Sequence, residues 1–83
     1  MTIHVRYFAS IREALGPGEK VDMPAGATLS LLRDLLIERS DAHAQALARG
    51  RALRCALNQA LADESSVVPD GAEVAFFPPV TGG

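Results

Sequence analysis

The apolar positions of this chain change period as it runs. From Thr2 to Phe8 they alternate: Ile3, Val5 and Tyr7 fall on one side, and Thr2, His4, Arg6 and Phe8 on the other. That spacing predicts a strand whose odd residues face a core, and it leaves Phe8 as an aromatic side chain on the polar side. Ala9 to Leu15 fits a short helical turn, closed by Gly16-Pro17-Gly18. Alternation returns over Glu19 to Met23 with Val21 and Met23 inward. A second strand therefore comes back along the first as a loose hairpin, and Pro24-Ala25-Gly26 breaks it.

From Thr28 the period becomes helical. The Thr28 hydroxyl is suited to accept from a free N–H of the first turn, although Leu31 stands where a capping-box glutamate would. Leu29, Leu31, Leu32, Leu35 and Leu36 lie within an arc of about 160°, and Arg33, Asp34 and Glu38 face away from its middle. This is the main helix, and its stripe has to cover a sheet. Ser40-Asp41 caps a second, alanine-rich helical piece expected to end near Arg49-Gly50.

Leu53, Cys55 and Leu57 then alternate with Arg54 and Ala56, which predicts a third strand. Asn58-Gln59 is a turn, and Ala60-Leu61-Ala62 a short strand beyond it. Polar Asp63 to Ser66 and the apolar pair Val67-Val68 lead to Pro69-Asp70-Gly71. There proline fits the second position of a tight turn and glycine supplies a positive φ. The last strand begins at Glu73, with Val74 and Phe76 on one face and Ala75 and Phe77 on the other.

Strand, strand, long helix, strand, short strand, strand is the order of an α+β domain, a small mixed sheet covered on one face by one main helix. Val5, Leu32, Leu35, Leu36, Leu57 and Val74 are expected to be among its least accessible residues. The other sheet face meets water or a partner. Phe8 and Phe77 point to it, Leu61 joins them, and aromatic residues on an otherwise polar face suggest a partner interface.

Composition narrows the functions. With 83 residues the chain makes one domain and has little room for a deep catalytic cleft. A net charge of −2 without a basic stripe argues against nucleic acid as the partner. No apolar run approaches a membrane span, and no basic segment precedes an apolar one as in a signal peptide, so a cytoplasmic location is expected. A lone cysteine, Cys55, excludes an internal disulfide and a cysteine-rich metal site, and no metal is expected.

The final stretch carries the chemistry. The strand runs into Pro78-Pro79, which lack N–H groups and favour an extended path, and then into Val80-Thr81-Gly82-Gly83. The chain thus divides into a domain over 1–77 and an extended tail over 78–83. The tail spans about 20 Å if extended, thin enough to thread a channel and present a terminal carboxylate to another protein's active site. A frayed terminus would account for two glycines, but not for the aromatic strand and the proline pair that lead into them.

Asn58-Gln59 with Leu61, Asp70-Gly71, and the run from Glu73 through Phe76-Phe77-Pro78-Pro79-Val80-Thr81 to Gly82-Gly83 resemble the small, sulfur-carrier subunits of molybdopterin synthases. Tyr7-Phe8-Ala9 with Arg12-Glu13 resemble that family too. The resemblance implies a ubiquitin-like β-grasp fold. It implies that the Gly83 carboxylate is adenylated by a ubiquitin-activating-like adenylyltransferase using ATP and magnesium, and that a sulfur donor system then converts it to a thiocarboxylate. Pro78, Pro79, Val80, Thr81 and Gly82 would insert into the large catalytic subunit. There Gly83 would give its sulfur to cyclic pyranopterin monophosphate, in a heterotetramer of two small subunits on a dimer of large ones. The chain itself would be a non-catalytic sulfur donor with no permanently bound cofactor.

The remaining candidates are bland. Cys55 lies between Leu53 and Leu57 and reads as a core thiol. His4 and His43 lack acidic or cysteine partners at ligand spacing and read as solvated, and Asp34 with Glu38 reads as a solvated helix flank. Two other functions stay open: a ubiquitin-like carrier for thiazole synthesis or a protein modifier, and an interaction module that uses its Pro-Pro tail as a ligand and is never acylated.

Overall fold

A computed structural model describes residues 1–79. The elements are β1 (Thr2–Tyr7), α1 (Ala9–Leu15), β2 (Gly18–Asp22), α2 (Leu29–Ile37), α3 (Asp41–Ala46), β3 (Arg54–Leu57), β4 (Ala60–Ala62) and β5 (Glu73–Phe77). They form a five-stranded sheet in the order β2-β1-β5-β3-β4. β1 and β5 pair in parallel at its centre, and the other neighbours are antiparallel. Helix α2 packs across one face, so the chain adopts the ubiquitin-like β-grasp, an α+β fold.

The predicted alternation builds this sheet. Ile3, Val5 and Tyr7 of β1, Val21 of β2, Cys55 of β3 and Val74 and Phe76 of β5 all point into the core, with Met23 just beyond β2. The α1 turn replaces a tight hairpin between β1 and β2. β2 approaches β1 closely at Gly18, where a Cβ would meet the Val5 carbonyl oxygen at 2.3 Å. Only glycine fits that edge without moving backbone.

Helix α2 starts as its sequence dictates: the Thr28 hydroxyl accepts from the Leu31 N–H at 3.2 Å. Its buried stripe, however, is Leu29, Leu32, Arg33 and Leu36. The expected five-leucine arc is corrected here, because Leu31 is 37% exposed and Leu35 only half-buried. Arg33, expected to face away, is 3% exposed.

The segment after α3 explains the exchange. α3 ends at Ala46, short of the expected Arg49-Gly50, and Leu47 turns fully into the core. The chain then crosses the flank of α2 with carbonyls that no regular element satisfies. Arg33 donates Nε to Leu47 O at 2.8 Å, Nη2 to the carbonyls of Ala48 and Arg51, and Nη1 to the Glu64 carboxylate at 2.8 Å. A buried guanidinium is tolerable only when donors and charge are matched in this way. Leu57 is also more accessible than expected: it ends β3 beside the turn and is half-covered, packed against the core from its rim.

These burials give opposite expectations for two leucines of one helix. Leu36→Ala should lower unfolding free energy in urea by about 2–5 kcal/mol, the range for emptying a buried leucine site. Leu31→Ala should cost under about 1 kcal/mol, as surface changes do. Equal costs would contradict the assigned helix face.

Candidate functional site

The sheet face opposite α2 is laid out by strand register. Arg6 pairs with Ala75, Ala75 with Ala56, and Ala56 with Leu61, which makes one row across β1, β5, β3 and β4. The next row holds Phe77 opposite Arg54. The Phe8 N–H donates to Phe76 O at 3.3 Å, which carries the β1–β5 ladder one step further and sets Phe8 beside Phe77. In the other direction His4 pairs with Glu73.

Small residues in the middle and large ones around them produce a recess of about 480 Å³, lined by Arg6, Phe8, Ala56, Gln59, Glu73, Ala75 and Phe77. Phe8 is 37% and Leu61 70% exposed, and Phe77 is half-buried. Phe8 and Phe77 therefore share the recess, while Leu61 lies at the β4 end of the Arg6–Ala75–Ala56 row, outside the lining. Arg6, Ala56, Gln59, Glu73 and Ala75 do not stand out as site residues in the sequence alone. Alternation alone puts four of them on the face of Phe77, and their meaning depends on the register that joins them.

Two contacts fix the rim. The Arg6 guanidinium lies 5.5 Å from the centre of the Phe8 ring and 3.7 Å from the Glu73 carboxylate. Asn58 and Gln59 make the two-residue turn between β3 and β4 with φ of 49° and 71°, the left-handed region that such turns need. Asn58 is held there from both sides: its N–H donates to Glu73 O at 2.8 Å, and its Oδ1 accepts from Glu73 N–H at 3.0 Å.

β5 hands the chain on at the Phe8–Phe77 end of this face. Pro78 and Pro79 follow it, half-buried and outside the ladder. Val80, Thr81, Gly82 and Gly83, the remaining tail candidates, lie outside the described residues.

Of the other candidates, Cys55 is buried, its thiol donates to Ala62 O at 3.3 Å, and burial pushes that thiol above its usual range. It is a core group. His4 is exposed. His43 corrects its reading, because it is not solvated. Its Nε2 lies 2.7 Å from Glu19 Oε2 and its Nδ1 2.7 Å from the Ser40 hydroxyl. The same carboxylate accepts from Tyr7 OH at 2.6 Å and from Arg39. The partner comes from β2, far away in sequence, so ligand spacing along the chain could not show it. Asp34 and Glu38 are exposed, as a solvated helix flank should be, and Arg49 binds Asp34 at 2.6 Å on that surface. Among the described residues no group of His, Cys, Asp and Glu could hold a metal ion, and no helix is long and apolar enough to cross a membrane.

The Glu19 cluster ties α3 and the loop before it to the β1–β2 edge. Burial acts to raise the Glu19 carboxyl, but the hydrogen bonds from Tyr7, His43 and Arg39 outweigh it and hold the group below its usual range. A depressed carboxylate contributes stability that is present above its unfolded value and lost as pH falls through the folded one. Glu19→Gln should therefore cost about 1–3 kcal/mol at neutral pH, and its deficit against wild type should shrink as pH falls below the ordinary carboxylate range. Parallel urea titrations check this, and a deficit independent of pH would contradict it.

Residues 5–83 match the ThiS family. The chain is 41% identical over 81 residues to the molybdopterin synthase sulfur carrier subunit of Haemophilus influenzae, covering 98% of this chain and 99% of that one. Among solved structures it resembles SAMP1, small archaeal modifier protein 1, of Haloferax volcanii with a TM-score of 0.78 and 28% identity, both chains fully covered. It also resembles a Helicobacter pylori structure, the complex of subunits 1 and 2 of the molybdopterin-converting factor, with a TM-score of 0.69 and 27% identity, again over the whole of both chains.

Proposed function

We propose, from the premise that this chain belongs to the ThiS family, that it is the sulfur-carrier subunit of a molybdopterin synthase. The observation that carries the proposal is the end-to-end likeness to a sulfur carrier subunit. A central strand that runs into Pro78-Pro79 and on toward Gly82-Gly83 supports it.

The chemistry begins with an obstacle. A carboxylate resists attack by a sulfur nucleophile, because its charge repels the nucleophile and an oxide leaves poorly. An activating enzyme with ATP and magnesium transfers AMP to Gly83 and releases pyrophosphate. Sulfur from the donor system attacks the acyl carbon, the bond to AMP breaks, and Gly83 becomes a thiocarboxylate. Inside the large subunit the sulfur passes to cyclic pyranopterin monophosphate, and water returns the oxygen to Gly83. Two carriers act per pterin, in a heterotetramer in the cytoplasm. Gly82 and Gly83 have no side chains, so two different active sites can close around the reacting carbon. Phe8, Leu61 and Phe77 form the contact with the large subunit, and Pro78 to Gly82 enter its channel.

The likeness to SAMP1, a modifier protein by name, favours one second reading, in which the same activated terminus is joined to an amine of another protein. Pterin turnover with the large subunit separates the two.

Removing Gly83 should leave folding unchanged and abolish thiocarboxylate formation, because the new carboxylate stops about 3.3–3.6 Å short. A misplacement of about 1 Å already costs on the order of a hundredfold. Gly82→Ala should be milder. Intact mass after incubation with activating enzyme, ATP and a sulfur donor reads the outcome. Sulfur gained by the truncated chain, or mapped to Cys55, would contradict the proposal.

A further inference from the structure

We infer that the recess on the outer sheet face is a socket for one apolar side chain of the large subunit, carried on a partner surface whose rim is acidic and meets Arg54. The inference rests on the sulfur-carrier reading and adds what the partner has to present.

The floor of the recess is the cross-strand pair Ala56–Ala75, and its walls are Phe8 and Phe77 on one side and Gln59 and Glu73 on the other. Two methyl groups between taller neighbours leave an apolar hollow in an otherwise continuous face. A side chain seated there removes water from alanine and aromatic surface together, as the central anchors of interfaces do. Gln59 adds to this. A two-residue turn with positive φ favours glycine at that position, yet the chain places there a side chain that helps to wall the recess.

Charge selects the kind of partner. The strand positions of this face carry Arg6, Lys20 and Arg54 against Asp22 and Glu73, although the chain as a whole carries −2. Arg6 is engaged by Glu73 and Phe8. Arg54, exposed and directly across from Phe77, makes no ion pair among the described residues. A carboxylate on the partner complements it. A second copy does so poorly, because two-fold pairing sets the same patch against itself and brings the Arg54 side chains together.

The test measures binding of the full chain to the large subunit of its own organism, at low and high salt, for wild type, Ala75→Leu, Ala56→Leu and Arg54→Glu, with thermal unfolding of each chain alone. Leucine fills the socket, so Ala75→Leu should weaken binding by about tenfold or more. Ala56→Leu does the same from the other half of the floor, and stands in should the first variant unfold. Arg54→Glu should weaken binding at low salt and flatten its salt dependence. Unchanged affinity in the folded leucine variants, or tighter binding by Arg54→Glu, overturns the inference while the sulfur-carrier reading stands. Self-association of the wild type that Ala75→Leu abolishes overturns it in favour of a second copy. Failure of the wild type to bind the large subunit overturns the sulfur-carrier reading itself.

Discussion

The parallel pairing of β1 with β5 is the contact on which the rest of this molecule depends. It joins strands from the two ends of the chain, so everything between them must cross over and return. On its inner side Val5 lies beside Val74 and Tyr7 beside Phe76, and α2 closes over them. On its outer side the same register lays Arg6 beside Ala75 and carries Phe8 to Phe77. One ladder therefore sets both the core and the candidate partner face. It also aims the chain beyond Phe77 from the middle of the sheet, where strands on both sides hold its direction.

The return path between β2 and β3 is held differently. α3 is a short helix, and the residues on either side of it make few regular hydrogen bonds. Two charged groups supply what regular structure does not: Arg33 gathers the carbonyls of Leu47, Ala48 and Arg51, and Glu19 gathers Tyr7, Arg39 and His43. Removing one partner from such a group strands a charge or a donor, which costs more than the pairing itself contributes. These clusters sit on the helix side of the sheet and leave the opposite face free for contact.

Much of the fold is legible in the sequence because it is local. Alternation over Thr2–Phe8 and Glu73–Phe77, the Thr28 and Ser40 caps, and the Asn58-Gln59 and Pro69-Asp70-Gly71 turns are each set by neighbours in the chain. Arg33, Leu35, Leu57 and His43 are misjudged because their surroundings come from elsewhere: a crossing loop over Arg33, a strand rim beside Leu57, a β2 carboxylate under His43. Phe8 and Phe77 stand out in the sequence as aromatics out of place. Ala56 and Ala75 do not, since an alanine becomes the floor of a recess only when larger side chains are known to surround it.

The central claim is that Gly83 carries sulfur to a pterin. The most direct measurement loads the chain with isotopically labelled sulfur as its Gly83 thiocarboxylate, removes ATP and activating enzyme, and adds the large subunit with cyclic pyranopterin monophosphate. The account predicts that the label leaves the C-terminal fragment and appears in the dithiolene of molybdopterin, with Gly83 restored to a carboxylate. Label retained at Gly83, or loss of the label with the chain joined to a protein amine, would contradict it.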